Sequence, residues 1–138
     1  MFEAENPPWG EDLRFVEVFR ARRLEHPEWA PWLFRVIITR DRPRRLIGHI
    51  GFHLGPDEQQ TVEIGYTVFA DYRGRGIATE AAHGLITWAR QQGIRRVIAS
   101  IAPANAPSLQ VAARLGFLQT GSQWDDEDGE ELVLELSL

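Results

Sequence analysis

Hydrophobic and polar positions along the chain repeat with two periods, and each change of period marks a predicted element. Residues 11–25 carry apolar side chains among charges at helical spacing, which predicts a first helix. The β-rich runs WLFRVIITRD and LIGHIGFHL flank the turn-like RDRPRR, so an antiparallel hairpin is expected there. Residues 61–69 alternate strictly and predict a strand, with an apolar face formed by Val62, Ile64, Tyr66 and Val68.

The second half of the chain predicts two more helices and three more strands. Apolar side chains recur every four residues from Ile77 onward, and Gly93 is a suitable stop for this helix. A short strand of β-branched residues follows, and Asn105 and Gly116 then bound another helix. Residues 117–138 predict a closing hairpin around the acidic DDEDGEE. The order β-β-β-α-β-α-β-β after the first helix predicts a mixed sheet with helices packed on it.

Composition narrows the class of protein. A length of 138 residues predicts a single domain spanning residues 1–138, and 43% hydrophobic with 25% charged residues is an ordinary globular balance. A net charge of -5 argues against nucleic acid as the partner. The absence of cysteine excludes disulfides, zinc-thiolate sites and a thiol nucleophile. No basic and then apolar leader opens the chain and no run approaches about 18 apolar residues, so a cytoplasmic protein without membrane attachment is expected.

The stretch YRGRGIATEAA, residues 72–82, places glycines and arginines directly before a helix. Such a turn offers free backbone N–H groups and the positive end of a helix dipole, and glycine lets a ligand approach closely. A phosphate or pyrophosphate site is therefore predicted. A nucleoside-triphosphate loop does not fit, because Ile77 follows Gly76 where lysine is required. A dinucleotide fingerprint does not fit either, because Thr79 stands at its third glycine position.

The pattern Arg73-x-x-Gly76-x-Ala78 resembles the cofactor loop of the GCN5-related N-acetyltransferase (GNAT) superfamily. EIGYTV before the loop, NAPS at a later helix start and ARLGF at that helix end complete the resemblance, which is to the branch that acetylates N-termini of ribosomal proteins. The resemblance implies an α+β GNAT fold, with a mixed, mostly antiparallel central sheet, a splayed parallel strand pair and helices packed on both faces. It also implies an acyltransferase that moves an acetyl group from acetyl-coenzyme A (acetyl-CoA) to a primary amine by direct attack in a ternary complex, without a metal.

The resemblance also assigns the cofactor contacts. Backbone amides of the loop would hold the pyrophosphate, at Arg73, Gly74, Arg75, Gly76, Ile77, Ala78 and Thr79. The preceding strand would pair with the pantetheine arm as an added strand would, at Tyr66, Thr67 and Val68, with a backbone N–H near Val68 facing the oxyanion.

Asn105 matches the asparagine that reaches the pantetheine, and Ser108 matches the serine that donates to the departing thiolate. Helix capping is the alternative role for both. Many relatives place a tyrosine acid where this chain has Ala112.

Glu63 is the leading candidate for the general base, acting through a water, and it shares a strand face with Gly65 and Thr67. The alternative is an exposed strand carboxylate, and a raised pKa from partial burial would favour the catalytic role. His53 is a second candidate for the base. His49 and His53 are expected to be structural rather than metal ligands, because no third ligand accompanies them.

The acceptor and the assembly stay open at this stage. Trp9, Trp29 and Trp32 either line the acceptor groove or pack in the core, and the acidic hairpin tip would attract a cationic amine. The acceptor is expected to be a protein N-terminus or an amine-bearing small molecule. Residues 1–10 lack the family's first strand, so either the start is trimmed or a homodimer partner covers that edge. The competing functions are a catalytically silent acyl-CoA-binding module and, more weakly, RNA binding through the arginines.

Overall fold

The structure, a computed structural model, describes residues 13–138. The helices of this part are α1 (Leu13–Glu25), α2 (Ile77–Gln91) and α3 (Ala106–Leu115), with short 3-10 turns at Pro27–Trp29 and Ala70–Tyr72. The strands are β1 (Arg35–Ile38), β2 (Leu46–Phe52), β3 (Thr61–Val68), β4 (Arg96–Ile101), β5 (Leu118–Asp125) and β6 (Gly129–Ser137). The predicted lack of the family's first strand concerns residues 1–10, which lie outside the described residues. Within residues 13–138, no helix is both long and apolar enough to cross a membrane.

The strands of the described part form one six-stranded sheet in the order β1-β2-β3-β4-β6-β5. Neighbouring strands are antiparallel except β3 and β4, which are parallel. Both predicted hairpins are present, β1 with β2 and β5 with β6. The predicted α+β fold with a mixed, mostly antiparallel sheet is therefore confirmed.

Helix boundaries follow local chemistry. The Asn105 side chain accepts a hydrogen bond from the Ser108 backbone N–H at 3.3 Å and caps α3. Gly116 ends α3 with φ at 91°, and Gly93 follows α2 with φ at 92°. A residue with a Cβ is strained in this left-handed region, so glycine is the natural residue at both helix ends.

Helices cover both faces of the sheet. On one face α2 buries Ala82, Leu85, Ile86 and Ala89 against a core that includes the fully buried Phe52 and Val97. On the other face the buried His49 of β2 stacks on Phe34 at 5.3 Å, and Phe34 contacts Phe19 of α1 at 6.4 Å between ring centroids. The alternation of β2 therefore sends its side chains into two separate packing layers.

The parallel pair separates part of the way along its length. β3 pairs with β4 only over Thr61–Glu63, although β3 continues to Val68 beside β2. β4 instead stays paired with β6 as far as Ile101, so the two strands diverge and leave a V-shaped gap. Backbone groups alternate in direction along a strand. The Glu63 carbonyl and the Phe69 N–H both form hydrogen bonds to the β2 side. The backbone N–H and C=O groups of Tyr66 and Val68, which lie an odd number of residues away, therefore point into the gap. The predicted splayed pair is present.

Candidate active site

A cleft of about 580 Å³ lies at the open end of the gap, and we call it the loop cleft. It is bounded by the end of β3, the glycine loop, the first turn of α2 and one side of α3. Every predicted cofactor contact lines it except Arg75; those present are Tyr66, Thr67, Val68, Arg73, Gly74, Gly76, Ile77, Ala78, Thr79, Asn105 and Ser108. The fold thus gathers residues from three elements around one concave surface.

The glycine loop presents backbone donors to this cleft. Gly74 and Gly76 have φ of 76° and 75°, and no heavy atom of the described residues lies within 4 Å of a Cβ built at either position. No described side chain caps α2, and the Glu80 N–H makes the first intrahelical bond, to the Gly76 carbonyl at 3.0 Å. The N–H groups of the first helical turn are therefore available to an anion, which the helix dipole also favours.

Thr79 supports the same interpretation. Its hydroxyl oxygen is buried at the first turn of α2 and has no hydrogen-bond partner among the described residues. A buried polar atom without a partner is costly, and a phosphate oxygen would accept the hydroxyl proton. The open space at the glycines, the uncapped amides and this hydroxyl all fit the pyrophosphate of a coenzyme A molecule.

The two loop arginines shape the loop itself. Arg73 lines the cleft, and its Nε donates to the Val68 carbonyl at 2.9 Å. Arg75 donates from Nη2 to the Asp71 carbonyl at 3.3 Å, and its Cζ lies 5.6 Å from the centre of the Tyr72 ring. The structure therefore places Arg75 outside the cleft lining, where it braces the turn.

Two residues on the α3 side of the loop cleft were not among the predicted contacts. Gln110 and Arg114 of α3 line the loop cleft as well. Residues 107, 110, 111 and 114 share one helical stripe, so this signal was available in the spacing. Arg114 adds a cation on the α3 side, facing the space that the glycine loop bounds.

A second cleft of about 370 Å³ continues from the first, and we call it the acceptor cleft. The two clefts share Tyr66, Asn105, Ser108 and Val111. The acceptor cleft is lined by residues of both β3 and β4, including Gly65 and Ser100, and by the polar side chains of His53, Asp128 and Glu131. The two clefts therefore adjoin at the gap between β3 and β4, through the four residues that they share.

Ser108 stands at the junction of the two clefts. It accepts a hydrogen bond from the Tyr66 hydroxyl at 3.2 Å, which leaves its own hydroxyl proton available to a ligand. Burial raises the pKa of the Tyr66 phenol, against a smaller opposing effect of Ser108, so this phenol stays protonated at neutral pH. Sequence reasoning noted a missing tyrosine at Ala112 but missed that Tyr66 of β3 brings a phenol to the same serine.

Glu63 lies on the α1 side of the sheet, as its alternation predicts. Its Oε1 accepts a hydrogen bond from the Ser100 hydroxyl at 2.7 Å and lies 3.7 Å from Nδ1 of His53. The neighbouring His53 ring lowers the pKa of Glu63 more than burial raises it, and Ser100 lowers it further. The raised pKa that would favour Glu63 as the base is therefore not found.

The remaining candidate residues, His49, Trp29 and Trp32, pack against other aromatic rings. His49 is buried against Phe34, and no group of three or more metal-ligating side chains occurs within the described residues. Trp29 stacks on His26 at 3.9 Å. Trp32 packs on Phe52 and Trp88 in the core, at 5.9 and 4.7 Å. Neither tryptophan lines the loop cleft or the acceptor cleft, and Trp9 lies outside the described residues.

Comparison with known proteins identifies the family. The family model described as an acetyltransferase (GNAT) domain matches residues 4–118, most of the chain. The chain belongs to the GNAT acetyltransferase family. The predicted resemblance, including its ribosomal-protein acetyltransferase-like branch, is confirmed.

Relatives of the GNAT chain fit this assignment. The chain is 33% identical over 101 residues to the uncharacterized N-acetyltransferase YnaD of Bacillus subtilis, and the match covers 66% of this chain and 58% of the relative. It is 38% identical over 77 residues to the ribosomal-protein-serine acetyltransferase of Escherichia coli, matching 55% of this chain and 43% of the relative. The chain thus spans about half the length of the curated relatives it matches.

A solved structure shows the same fold. It is that of the microcin C7 self-immunity acetyltransferase MccE, determined in complex with acetyl-CoA and AMP. The TM-score is 0.71 at 19% identity, over 93% of this chain and 71% of that chain. At this identity the likeness supports the GNAT fold and carries no information on the acceptor.

Proposed function

We propose that this protein is an acetyl-CoA-dependent N-acetyltransferase that joins the acetyl group to a primary amine in a ternary complex. The observation that carries the proposal is that the loop cleft and the acceptor cleft adjoin at Ser108, beside the gap between β3 and β4. A cofactor can enter from the loop cleft and an amine from the acceptor cleft, so both reach the gap between β3 and β4 together. Direct attack needs this arrangement and no covalent enzyme intermediate.

The loop cleft accounts for cofactor binding in this proposal. The amides of residues 74–79 hold the pyrophosphate, with Thr79 donating its hydroxyl and Arg114 adding charge. The pantetheine arm lies along β3, where the backbone groups of Tyr66 point into the gap and pair with it as an extra strand would. The acetyl group then lies beside Ser108.

The chain's own groups serve the reacting atoms. The amine nitrogen attacks the thioester carbon, the carbon–nitrogen bond forms, and charge develops on the carbonyl oxygen, which the Val68 N–H meets. The carbon–sulfur bond then breaks. The Ser108 hydroxyl donates its proton toward the departing sulfur, supported by the Tyr66 hydroxyl behind it.

The acceptor is an amine that is cationic before it reacts. Asp128 and Glu131 line the acceptor cleft, and carboxylates raise the local concentration of a positive ligand. The relative from Escherichia coli is named for a ribosomal protein serine, which supports a protein N-terminus, and a small amine fits the same cleft. A homodimer stays a prediction.

Release of free coenzyme A tests the proposal with little background. The chain contains no cysteine, so a thiol reagent reports only the product thiol. Purified protein with acetyl-CoA and a panel of peptides with free N-termini and of small amines should release thiol above the rate without amine. Tight coenzyme A binding with no turnover on any amine would favour the silent acyl-CoA-binding module instead. No binding at all would refute both.

A further inference from the structure

We propose that His53 takes the proton from the acceptor amine and that Glu63 is the positioning residue that holds its ring, because the imidazole stands between that carboxylate and the acceptor cleft. The inference rests on the proposed acetyltransferase function. It differs from the sequence-based expectation, in which Glu63 is the base and His53 a substitute.

The two side chains are held together by the sheet. The His53 backbone N–H donates to the Glu63 carbonyl at 2.9 Å, which places the residues side by side at the end of β2 and on β3. Their side chains meet at 3.7 Å between Nδ1 and Oε1. Arg22 of α1 fixes the same backbone, because its Nη1 donates to the His53 carbonyl at 2.6 Å.

Glu63 is anchored from its other side. The Ser100 hydroxyl donates to Oε1 at 2.7 Å, and Gln123 donates from Nε2 to the Ser100 oxygen at 3.2 Å and to Glu131 at 3.3 Å. This chain of bonds crosses from β3 to β4 and on to the β5–β6 hairpin. The Glu63 carboxylate is thus fixed between the Ser100 hydroxyl and the His53 ring.

The position of the ring favours His53 over Glu63 as the proton acceptor. His53 lines the acceptor cleft, whereas Glu63 does not. With Nδ1 directed at Glu63, Nε2 is the nitrogen left to receive a proton. A Cβ at Gly65 would lie 2.5 Å from Nε2, so glycine leaves room for the ring beside the strand that bounds the gap. The lowered pKa of Glu63 makes it a weak base, while an imidazole suits proton transfer near neutral pH.

The proton balance is simple. The ammonium form of the acceptor gives one proton to Nε2 of His53, which yields a neutral amine and an imidazolium stabilised by Glu63. The amine lone pair forms the new carbon–nitrogen bond and the carbon–sulfur bond breaks. The second amine proton ends on the sulfur through Ser108, so the products are the amide, coenzyme A thiol and a protonated His53 that returns its proton to solvent.

The test compares His53→Ala with Glu63→Gln, using His83→Ala as the matched control because His83 is exposed on α2. The assay is thiol release against pH, with the best amine of the panel, together with calorimetric affinity for coenzyme A. His53→Ala should lower kcat/KM by about 100-fold. It should remove the acid limb of the pH profile and keep coenzyme A affinity. Added imidazole should restore part of the rate.

Glu63→Gln should have the smaller effect, about 10-fold, and should keep the acid limb, since it leaves the base in place. Glu63 and Arg22 contact His53, and Asp128 and Glu131 line the same cleft. All four charged groups are kept in His83→Ala, so their contribution to the pH profile is common to the wild type and this control. If His53→Ala does not fold, His53→Gln carries the same expectation.

The inference is overturned if His53→Ala retains the wild-type rate and acid limb, or if Glu63→Gln alone removes that limb. The failure of the proposed function is separate, because then the wild-type protein itself shows no thiol release with any amine. His83→Ala should match the wild type throughout, and a loss of rate in that control also counts against a specific role for His53.

Discussion

Replacing Gly76 by alanine separates the backbone role of this residue from its role at the cofactor. Its φ of 75° lies in the left-handed region, where a side chain costs about 1–2 kcal/mol. Within residues 13–138 no atom lies within 4 Å of the added Cβ, so backbone strain is the cost expected for the free protein. For a chain of this size the melting temperature should fall by about 3–7 °C. A bound pyrophosphate, in contrast, would meet the new methyl group directly.

Loss of one charge-assisted hydrogen bond to the pyrophosphate costs about 1.5–3 kcal/mol. The Kd for coenzyme A, measured by calorimetry, should therefore rise by about 10- to 100-fold. Gly93 is the matched control, because its φ is 92° and it lies beyond the far end of α2. A Cβ at Gly93 would also meet no atom of the described part of the chain within 4 Å. Gly93→Ala should lower the melting temperature similarly without changing the Kd. Equal Kd values for Gly76→Ala and wild type, or an equal rise in Gly93→Ala, would refute the reasoning.

Three further predictions concern the chemistry. Ser108→Ala should lower kcat about 10- to 100-fold with little change in coenzyme A affinity. The control Ser122→Ala, at an exposed position of β5, should leave kcat unchanged, and equal rates for the two variants in the thiol assay would contradict the role of Ser108. Tyr66→Phe should lower kcat less than Ser108→Ala does. It should also lower the free energy of unfolding in urea by about 1 kcal/mol, because one hydrogen bond is lost. A larger loss of kcat than in Ser108→Ala would indicate that the phenol itself is the acid. The His53 ring and the Ser100 hydroxyl hold the folded-state pKa of Glu63 below that of an ordinary glutamate, so the ionised carboxylate stabilises the fold at neutral pH. The melting-temperature advantage over Glu63→Gln should shrink as the pH falls through the folded-state pKa, and an advantage that grows on acidification would contradict this.

Much of the fold follows from local chemistry in the sequence. The start of α3 at Asn105 and its end at Gly116 depend on a side-chain cap and a left-handed glycine, both of which are decided within a few residues. The glycine loop before Ile77 is equally local, because its donors are backbone amides whose direction the turn sets. Alternation along β3 likewise indicates that Glu63 and Tyr66 lie on opposite faces.

The features that sequence could not supply depend on pairing between distant segments. Tyr66 meets Ser108 only because β3 diverges from β4 while each stays with its outer neighbour. The pKa of Glu63 goes down because β2 brings His53 beside it, a partner that alternation within β3 cannot reveal. Arg75 lies in the predicted loop, but its guanidinium donates to the Asp71 carbonyl and does not line the cleft. A long, flexible side chain can reach several acceptors, and the sequence does not show which one it contacts.

A crystal structure of the protein with coenzyme A would show where the diphosphate binds. Its oxygens are expected within about 3 Å of main-chain nitrogens of residues 74–79, with the thiol end in the gap beside Ser108. A diphosphate bound on any other surface, or a loop cleft that stays empty in crystals soaked at saturating coenzyme A, would contradict this expectation.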